Sequence, residues 1–321
     1  MGKTGWNRIE INQLADSITA TYPLFSLCIF TFFGPTPMTR HFLPTAVAFL
    51  IVAAHSATAH ADLIISSLGA TTTIDFESTL TGSNNGQFNG SGFDPGASAA
   101  GLLDSNSWKA LGFSAGSMNF GDTQTSNDFA RGTATGGVGT GGVYAFDASA
   151  DGGSVGLGVQ PGGSDFTPGS FTLRLQNDTG SEVTNFDLGY ELRVYNDQAR
   201  ANSFNFQYSL DDSTYIDVGF FDVTSDEAAA GAPNWDLVFD NETNVGGFSL
   251  ADGANIFFRW TSDDVSGSGA RDQFHLDNID ITFNAAAVPE PGSLGLIAAA
   301  LGGAFFMRRK KNKLALEKVE E

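Results

Sequence analysis

The sequence predicts an all-β fold, an antiparallel β-sandwich of jelly-roll type. Three observations carry this. Apolar residues alternate with polar ones at period two in segment after segment. Gly, Ser, Asn, Asp and Thr fill the spaces between those segments, which is turn chemistry. No convincing helical stretch of ten or more residues occurs between the two chain ends, and Glu227–Gly231 is expected to form at most one short turn.

In chain order, Val155, Leu157 and Val159 make the first short alternation. Phe171, Leu173 and Leu175 face one way, against Thr172, Arg174 and Gln176. Phe186, Leu188, Tyr190, Leu192 and Val194 repeat the pattern against Asp187, Glu191 and Arg193. Phe204, Phe206, Tyr208 and Leu210 alternate with Asn205, Gln207 and Ser209, and Ile256, Phe258 and Trp260 with Phe257 and Arg259. One apolar face per segment means half-buried antiparallel strands. Asn177-Asp178-Thr179-Gly180 and Asp211-Asp212-Ser213-Thr214 separate neighbouring strands at hairpin spacing. In the last segment the apolar parity changes from Phe274 and Leu276 to Ile279, Ile281 and Phe283. One extra residue keeps both sets inside, so a β-bulge is predicted at Asp277-Asn278. Residues 82–142 read as long loops and short strands packed over one face, with Phe88, Phe93, Trp108, Leu111, Phe113 and Phe120 irregularly spaced. No repeat divides the region, so 62–285 is read as one domain.

Composition narrows the function classes. Between Asp62 and Glu290 there are 7 Lys+Arg and 31 Asp+Glu, a net charge near −24. This argues against nucleic acid as a partner, since no basic patch is present to neutralise phosphates. The segment has no Cys, so it relies on a core and not on disulfides.

The two ends carry targeting signals. Met38-Thr39-Arg40-His41, the mostly apolar run Phe42–Ala54 and the A-x-A patterns at Ala57-Thr58-Ala59 and Ala59-His60-Ala61 read as a signal peptide over 38–61, cleaved after Ala61. Residues 1–37 are then an upstream extension, with translation expected to start at Met38. The tail, 286–321, runs Val288-Pro289-Glu290-Pro291-Gly292-Ser293, then Leu294–Met307 without a charge, then Arg308-Arg309-Lys310-Lys311. The prolines keep the motif extended and accessible. The basic cluster halts translocation and stays cytoplasmic. Leu294–Met307 is read as a transmembrane helix. Its fourteen residues span only about 21 Å of about 30 Å of hydrocarbon, which suits a temporary anchor with snorkelling flanks.

These tail residues resemble the PEP-CTERM sorting signal: a Pro-Glu-Pro motif, an apolar helix and a basic end, in that order. The resemblance covers about the last thirty residues. It implies export in a Gram-negative-type bacterium, recognition of Pro289, Glu290 and Pro291 by an exosortase, a transient membrane anchor, and delivery to the cell surface or extracellular matrix. Ten residues, Asn312–Glu321, follow the basic cluster where the family usually stops sooner. Leu103–Trp108, Gly158–Phe166 and Gly267–Ile279 also resemble segments of modules on other exported bacterial proteins, and the last is similar to the closing strand of jelly-roll modules on surface proteins.

Catalytic chemistry is poorly supplied. His275 is the one His of the exported part, and its place between Phe274 and Leu276 predicts a surface position opposite the core. Glu77, Glu182, Glu191 and Glu242 are available to a jelly-roll glycosidase, in no recognisable pattern. Asp263, Asp264 and Asp272 gather carboxylates in a glycine-rich loop, the combination a calcium ion wants, and Asp147 with Asp151 form a second candidate; both also suit plain acidic loops. Arg271 is placed to clamp the first loop by bidentate pairing. Tyr195, opposite the buried set on its strand, and Trp235, after Pro233-Asn234, are candidate exposed platforms for a sugar, or else loop anchors, while Trp260 fits the core. The expectation is a non-enzymatic surface or matrix protein. The alternative is a carbohydrate-binding adhesion module in contact with extracellular polysaccharide, calcium-stabilised or not, and a glycosidase ranks third.

Overall fold

The structure is a computed structural model, and it describes residues 63–286. The upstream extension, the signal peptide, the sorting motif, the apolar tail run and the basic cluster lie outside the described residues. Among the described residues no helix is long and apolar enough to cross a membrane.

Strands dominate. The first part of the chain contributes β1 (Leu63–Ile65), β2 (Thr71–Ile74), β3 (Phe93–Asp94), β4 (Leu103–Asp104), β5 (Trp108–Phe113), β6 (Gly116–Met118) and β7 (Thr133–Ala134). The middle contributes β8 (Gly142–Asp147), β9 (Val155–Gln160), β10 (Gly169–Asn177), β11 (Val183–Tyr195) and β12 (Arg200–Ser209). The remainder are β13 (Ile216–Asp217), β14 (Val223–Thr224), β15 (Trp235–Leu250), β16 (Asn255–Ser262), β17 (Asp264–Gly267) and β18 (Gln273–Asn284). Three one-turn 3-10 segments, at Asn127–Phe129, Ser149–Asp151 and Gly219–Phe221, are the helical content of these residues. Glu227–Gly231 forms bends, not a helical turn.

Two sheets build the sandwich. One runs β13-β12-β16-β10-β5-β6, with β1, β14 and β17 added at its strands. The other runs β15-β11-β18-β9-β8-β7, with β2 beside β18. Pairing is mostly antiparallel; β1 with β10 and β7 with β8 are parallel. Each predicted alternation is a strand, and its apolar set points into the shared core, with one correction: Leu210 lies just past β12, at the start of the turn, and is exposed. Phe186 meets Phe258 across the two sheets at 4.6 Å between ring centroids, Phe204 meets Phe274 at 5.0 Å, and Tyr190 meets Trp260 at 5.9 Å. The irregular aromatics also enter this core: Phe88, Phe93, Trp108 and Phe113 are buried.

The two expected hairpins differ. Asp211–Thr214 joins β12 to β13, which pair antiparallel. The Asp211 carboxylate accepts from the Ser213 and Thr214 amides at 2.9 and 2.7 Å, closing the turn. Asn177–Gly180 is not a hairpin. It carries the chain from β10 in one sheet to β11 in the other. Residues 178–182 reach up to about 17 Å, enough to span a gap of about 10 Å between packed sheets. Asn177 is fully buried and pins the crossing. Its Nδ2 donates to the carbonyls of Ser181, Leu250 and Ala251 at 2.8–3.1 Å, and its Oδ1 accepts from the Thr179 amide at 3.1 Å.

The predicted bulge is present. Gly189 faces Asp280 and Glu191 faces Asp277, so two residues on β11 span three on β18. Asn278 takes φ 48°, a left-handed value that Asn tolerates. Both parities are thereby buried: Phe274 and Leu276 on one side, Ile279, Ile281 and Phe283 on the other.

Candidate ligand-binding face

The outward residues of the nine-stranded sheet form straight rows across four strands. Asn205, Thr261, Ser170 and Leu111 make one row. Gln207, Arg259, Thr172 and Lys109 make the next. Four strands at the usual spacing make a row of about 14 Å. A cleft of about 420 Å³ lies over the first row, and Arg259, Ser203 and Asp263 are also among the residues that line it.

The hairpin of residues 211–215 folds across this face. The Tyr215 ring lies 3.3 Å from the Arg259 guanidinium carbon. Its hydroxyl donates to Asp212, which also pairs with Lys109 Nζ at 2.6 Å. Arg259 Nε donates to Gln207 Oε1 at 3.1 Å, and Nη2 donates to the same oxygen. Arg259 is therefore stacked on one side and tethered at one edge. No carboxylate lies within ion-pairing distance of it among the described residues. Burial pulls its pKa below the ordinary guanidinium value, while Tyr215 and Asp212 oppose that shift. Beyond the second row, Phe120 lies beneath the Arg174 guanidinium at 4.6 Å and beside Phe257 at 5.9 Å.

The outward face of the seven-stranded sheet is partly closed. Tyr144, Phe146, Ala148 and Trp235 form a second apolar cluster there, with Tyr195 packed against it. Trp235 is 1 % exposed and donates from its indole N–H to the Thr135 carbonyl at 3.0 Å. It is an anchor, not an exposed platform; Tyr195, across the strand pair from it, is half-buried with its ring 5.3 Å away. His275 lies in the same layer and corrects its expected surface position. It is fully buried, and its Nε2 makes a hydrogen bond with the Ser154 carbonyl at 3.1 Å. Burial lowers its pKa to about 4, which keeps the imidazole neutral. Parity predicted the correct face. It did not show that residues from β8 and β15 cover that face.

Charged groups join this layer. Arg193 donates to the carbonyls of Asp151 and Gly152 at 3.2 and 3.1 Å and to Glu191 at 3.3 Å. Asp277 is fully buried, accepts from Ser154 Oγ and from the Asn278 amide, and has its pKa raised to about 7, chiefly by burial, with Glu191 and Glu77 adding to the shift.

The calcium candidates do not assemble. Arg271 clamps Asp264 through two bonds of 2.7 Å, as expected, and Arg200 pairs with the same carboxylate. Asp263 accepts from the Asp264 amide at 2.8 Å. Asp272 is buried, accepts from the Gln198 amide at 3.1 Å, and has its pKa raised to about 6 by burial. Asp147 accepts from the Ser149 amide, and Asp151 from the Trp235 amide. Among the described residues no three acidic, His or Cys side chains come together to hold a metal ion. The reason is competition: two guanidiniums already neutralise Asp264, and Asp272 is turned inward.

Of the glutamates, Glu191 and Glu242 stand on the adjacent strands β11 and β15, Glu182 accepts from Ser249 Oγ, and Glu77 donates its amide to Asp75 in a turn at 3.2 Å. The residues that sequence reasoning missed as a site are Asn205, Gln207, Arg259 and Thr261, together with Tyr215. Their signal was the polar half of the alternations, planar or hydroxyl-bearing on strand after strand.

No curated protein matches this chain. Among solved structures, it is similar to the CBM22-1 xylan-binding domain of Xyn10C from Paenibacillus barcinonensis, at 13 % identity and a TM-score of 0.32, covering 70 % of this chain and 100 % of that one. It is also similar to the K2 cleaved adhesin domain of Lys-gingipain, at 16 % identity and a TM-score of 0.31, covering 66 % of this chain and 98 % of that one. The family model that matches is the PEP-CTERM protein-sorting motif, over residues 287–311, which include Pro289-Glu290-Pro291 and Arg308–Lys311. The chain therefore carries a PEP-CTERM sorting signal, the mark of an exported, membrane-anchored precursor.

Proposed function

We propose that this is a cell-surface or extracellular-matrix protein whose jelly-roll-like sandwich acts without catalysis and holds extracellular polysaccharide on the outer face of the nine-stranded sheet. The signal peptide and the transmembrane tail deliver it, and an exosortase processes the tail at Pro289-Glu290-Pro291. The observation that carries the binding role is the cleft over Asn205, Thr261 and Ser170, flanked by an immobilised Arg259. Flat polar rows with a stacked guanidinium suit ring-shaped polyhydroxyl ligands, and the rigid strands hold the donors in place. The non-catalytic reading is supported by His275, which is sealed in a layer no substrate reaches.

The test has two parts. Fractionation of the producing cells, with mass spectrometry of the mature C-terminus, is expected to place the protein outside the cytoplasmic membrane and to find a shortened tail; replacing Pro289-Glu290-Pro291 by alanines should leave it in the membrane fraction. A glycan array with the purified full chain should show retention that Asn205→Ala weakens. Retention on no polymer would remove the binding role and leave the export reading intact.

A further inference from the structure

We infer that the cleft takes a neutral polysaccharide, read through pairs of neighbouring hydroxyls by Arg259, and not an acidic one; this rests on the binding role proposed above. Charge is the first argument. The domain carries a net charge near −24 between Asp62 and Glu290. Lys109, the other cation of the Arg259 row, is already paired with Asp212. Inside the cleft Arg259 is matched by Asp263, so no excess positive charge is left to hold a chain of carboxylates. A polyanion would approach a like-charged surface with nothing local to offset the repulsion.

The donor and acceptor pattern is the second argument. The side chains of Asn205 and Ser170 donate and accept, the hydroxyls of Thr261 and Ser203 already donate to the Asn205 and Asp263 carbonyls at 3.4 and 3.3 Å and so offer acceptors, Arg259 only donates, and the Asp263 carboxylate only accepts. Sugar hydroxyls both donate and accept, so they satisfy all of these groups. A carboxylate only accepts and would leave Asp263 opposed.

Arg259 is also pre-organised. The Tyr215 ring covers one side of Arg259, and Gln207 holds Nε and Nη2. Nη1 makes no hydrogen bond within the described residues and is not sealed from solvent. A planar fork already fixed in place loses little rotamer freedom on binding. Lysine, with one ammonium on a flexible stem, does not reproduce it.

Affinity electrophoresis of the full chain in detergent tests this. The gels contain hydroxyethyl cellulose, xyloglucan, mannan or dextran as neutral polymers, and alginate or polygalacturonate as acidic ones. The expected result is retardation by at least one neutral polymer and by neither polyuronate. Arg259→Gln and Arg259→Lys should each weaken that retardation tenfold or more, with Asn205→Ala as a second variant on the same face. Retardation by polyuronates alone, still sensitive to Asn205→Ala, would overturn the inference and keep the face as a binding site. Neutral binding unchanged in Arg259→Gln would also overturn it. Binding of no polymer would remove both.

Discussion

The imidazole of His275 and the indole of Trp235 lie 5.6 Å apart, centroid to centroid, in a closed layer on the outside of the seven-stranded sheet. Strands far apart in sequence supply the pair: β18 brings His275, and β15 brings Trp235 across β11. The layer buries a neutral base and, two residues on, a carboxyl group that prefers its proton.

That arrangement predicts the pH dependence of stability. His275 titrates near 4 when folded and near the ordinary 6.5 when unfolded, so its contribution is present above the unfolded value and is lost as pH falls from about 6.5 to about 4. Asp277, at about 7, and Asp272, at about 6, work oppositely. Each keeps its proton when folded and loses it when unfolded, so stability falls as pH rises from about 4 toward those values. Two carboxyls outweigh one imidazole, and the melting temperature should decline between pH 4 and 7. Asp277→Asn should flatten that decline, and His275→Gln should steepen it. A melting temperature that rises across this window, or that keeps its slope in Asp277→Asn, contradicts the account.

The glycines of β9 are predicted to be intolerant. Tyr144 stands opposite Gly158 and Phe146 opposite Gly156, so the aromatic pair lies over bare backbone. A Cβ on Gly158 would sit 2.0 Å from Phe146 Cδ2. Gly158→Ala should therefore cost about 1–3 kcal/mol through overpacking. Denaturant titration measures it; a loss below about 0.5 kcal/mol would mean that the Phe146 ring moves aside freely.

The loop of Asp263, Asp264 and Asp272 is predicted to be held by arginine and indifferent to calcium. Arg271→Ala should cost about 1 kcal/mol or less, since the pair is partly exposed to solvent. Adding calcium or a chelator should leave the melting temperature of the full chain unchanged. Calorimetric heat with calcium that disappears in Asp264→Asn would restore the metal reading.

Much of the fold was legible from period two. The alternations at 155–159, 171–175, 186–194, 204–208, 256–260 and 274–283 fixed which side chains face inward, because successive residues of a strand point to opposite faces; Leu210 fell outside because β12 ends at Ser209. The parity change before Ile279 located the bulge for the same reason: one extra residue is the least that keeps both sets buried. The 16-residue β15 escaped notice, since burial recurs there only at Trp235, Phe239, Val245 and Leu250. It is an edge strand, and its exposed Asp236, Asp240 and Glu242 discourage pairing with another chain.

The sequence by itself thus determined the all-β class, the alternating strands with their inward faces, the bulge and the sorting tail, since each rests on residues adjacent in the chain. Only the tertiary structure decided the rest. Alternation specifies a face but not a partner, so Asn177–Gly180 reads equally as a hairpin or as a crossing between sheets. Polarity specifies a side but not what later covers it, so His275 and Trp235 became interior when distant strands closed over them. The binding face has the same origin. Asn205, Thr261 and Ser170 are separate polar positions in the sequence, and antiparallel pairing sets them in one row beneath the cleft that Arg259 flanks.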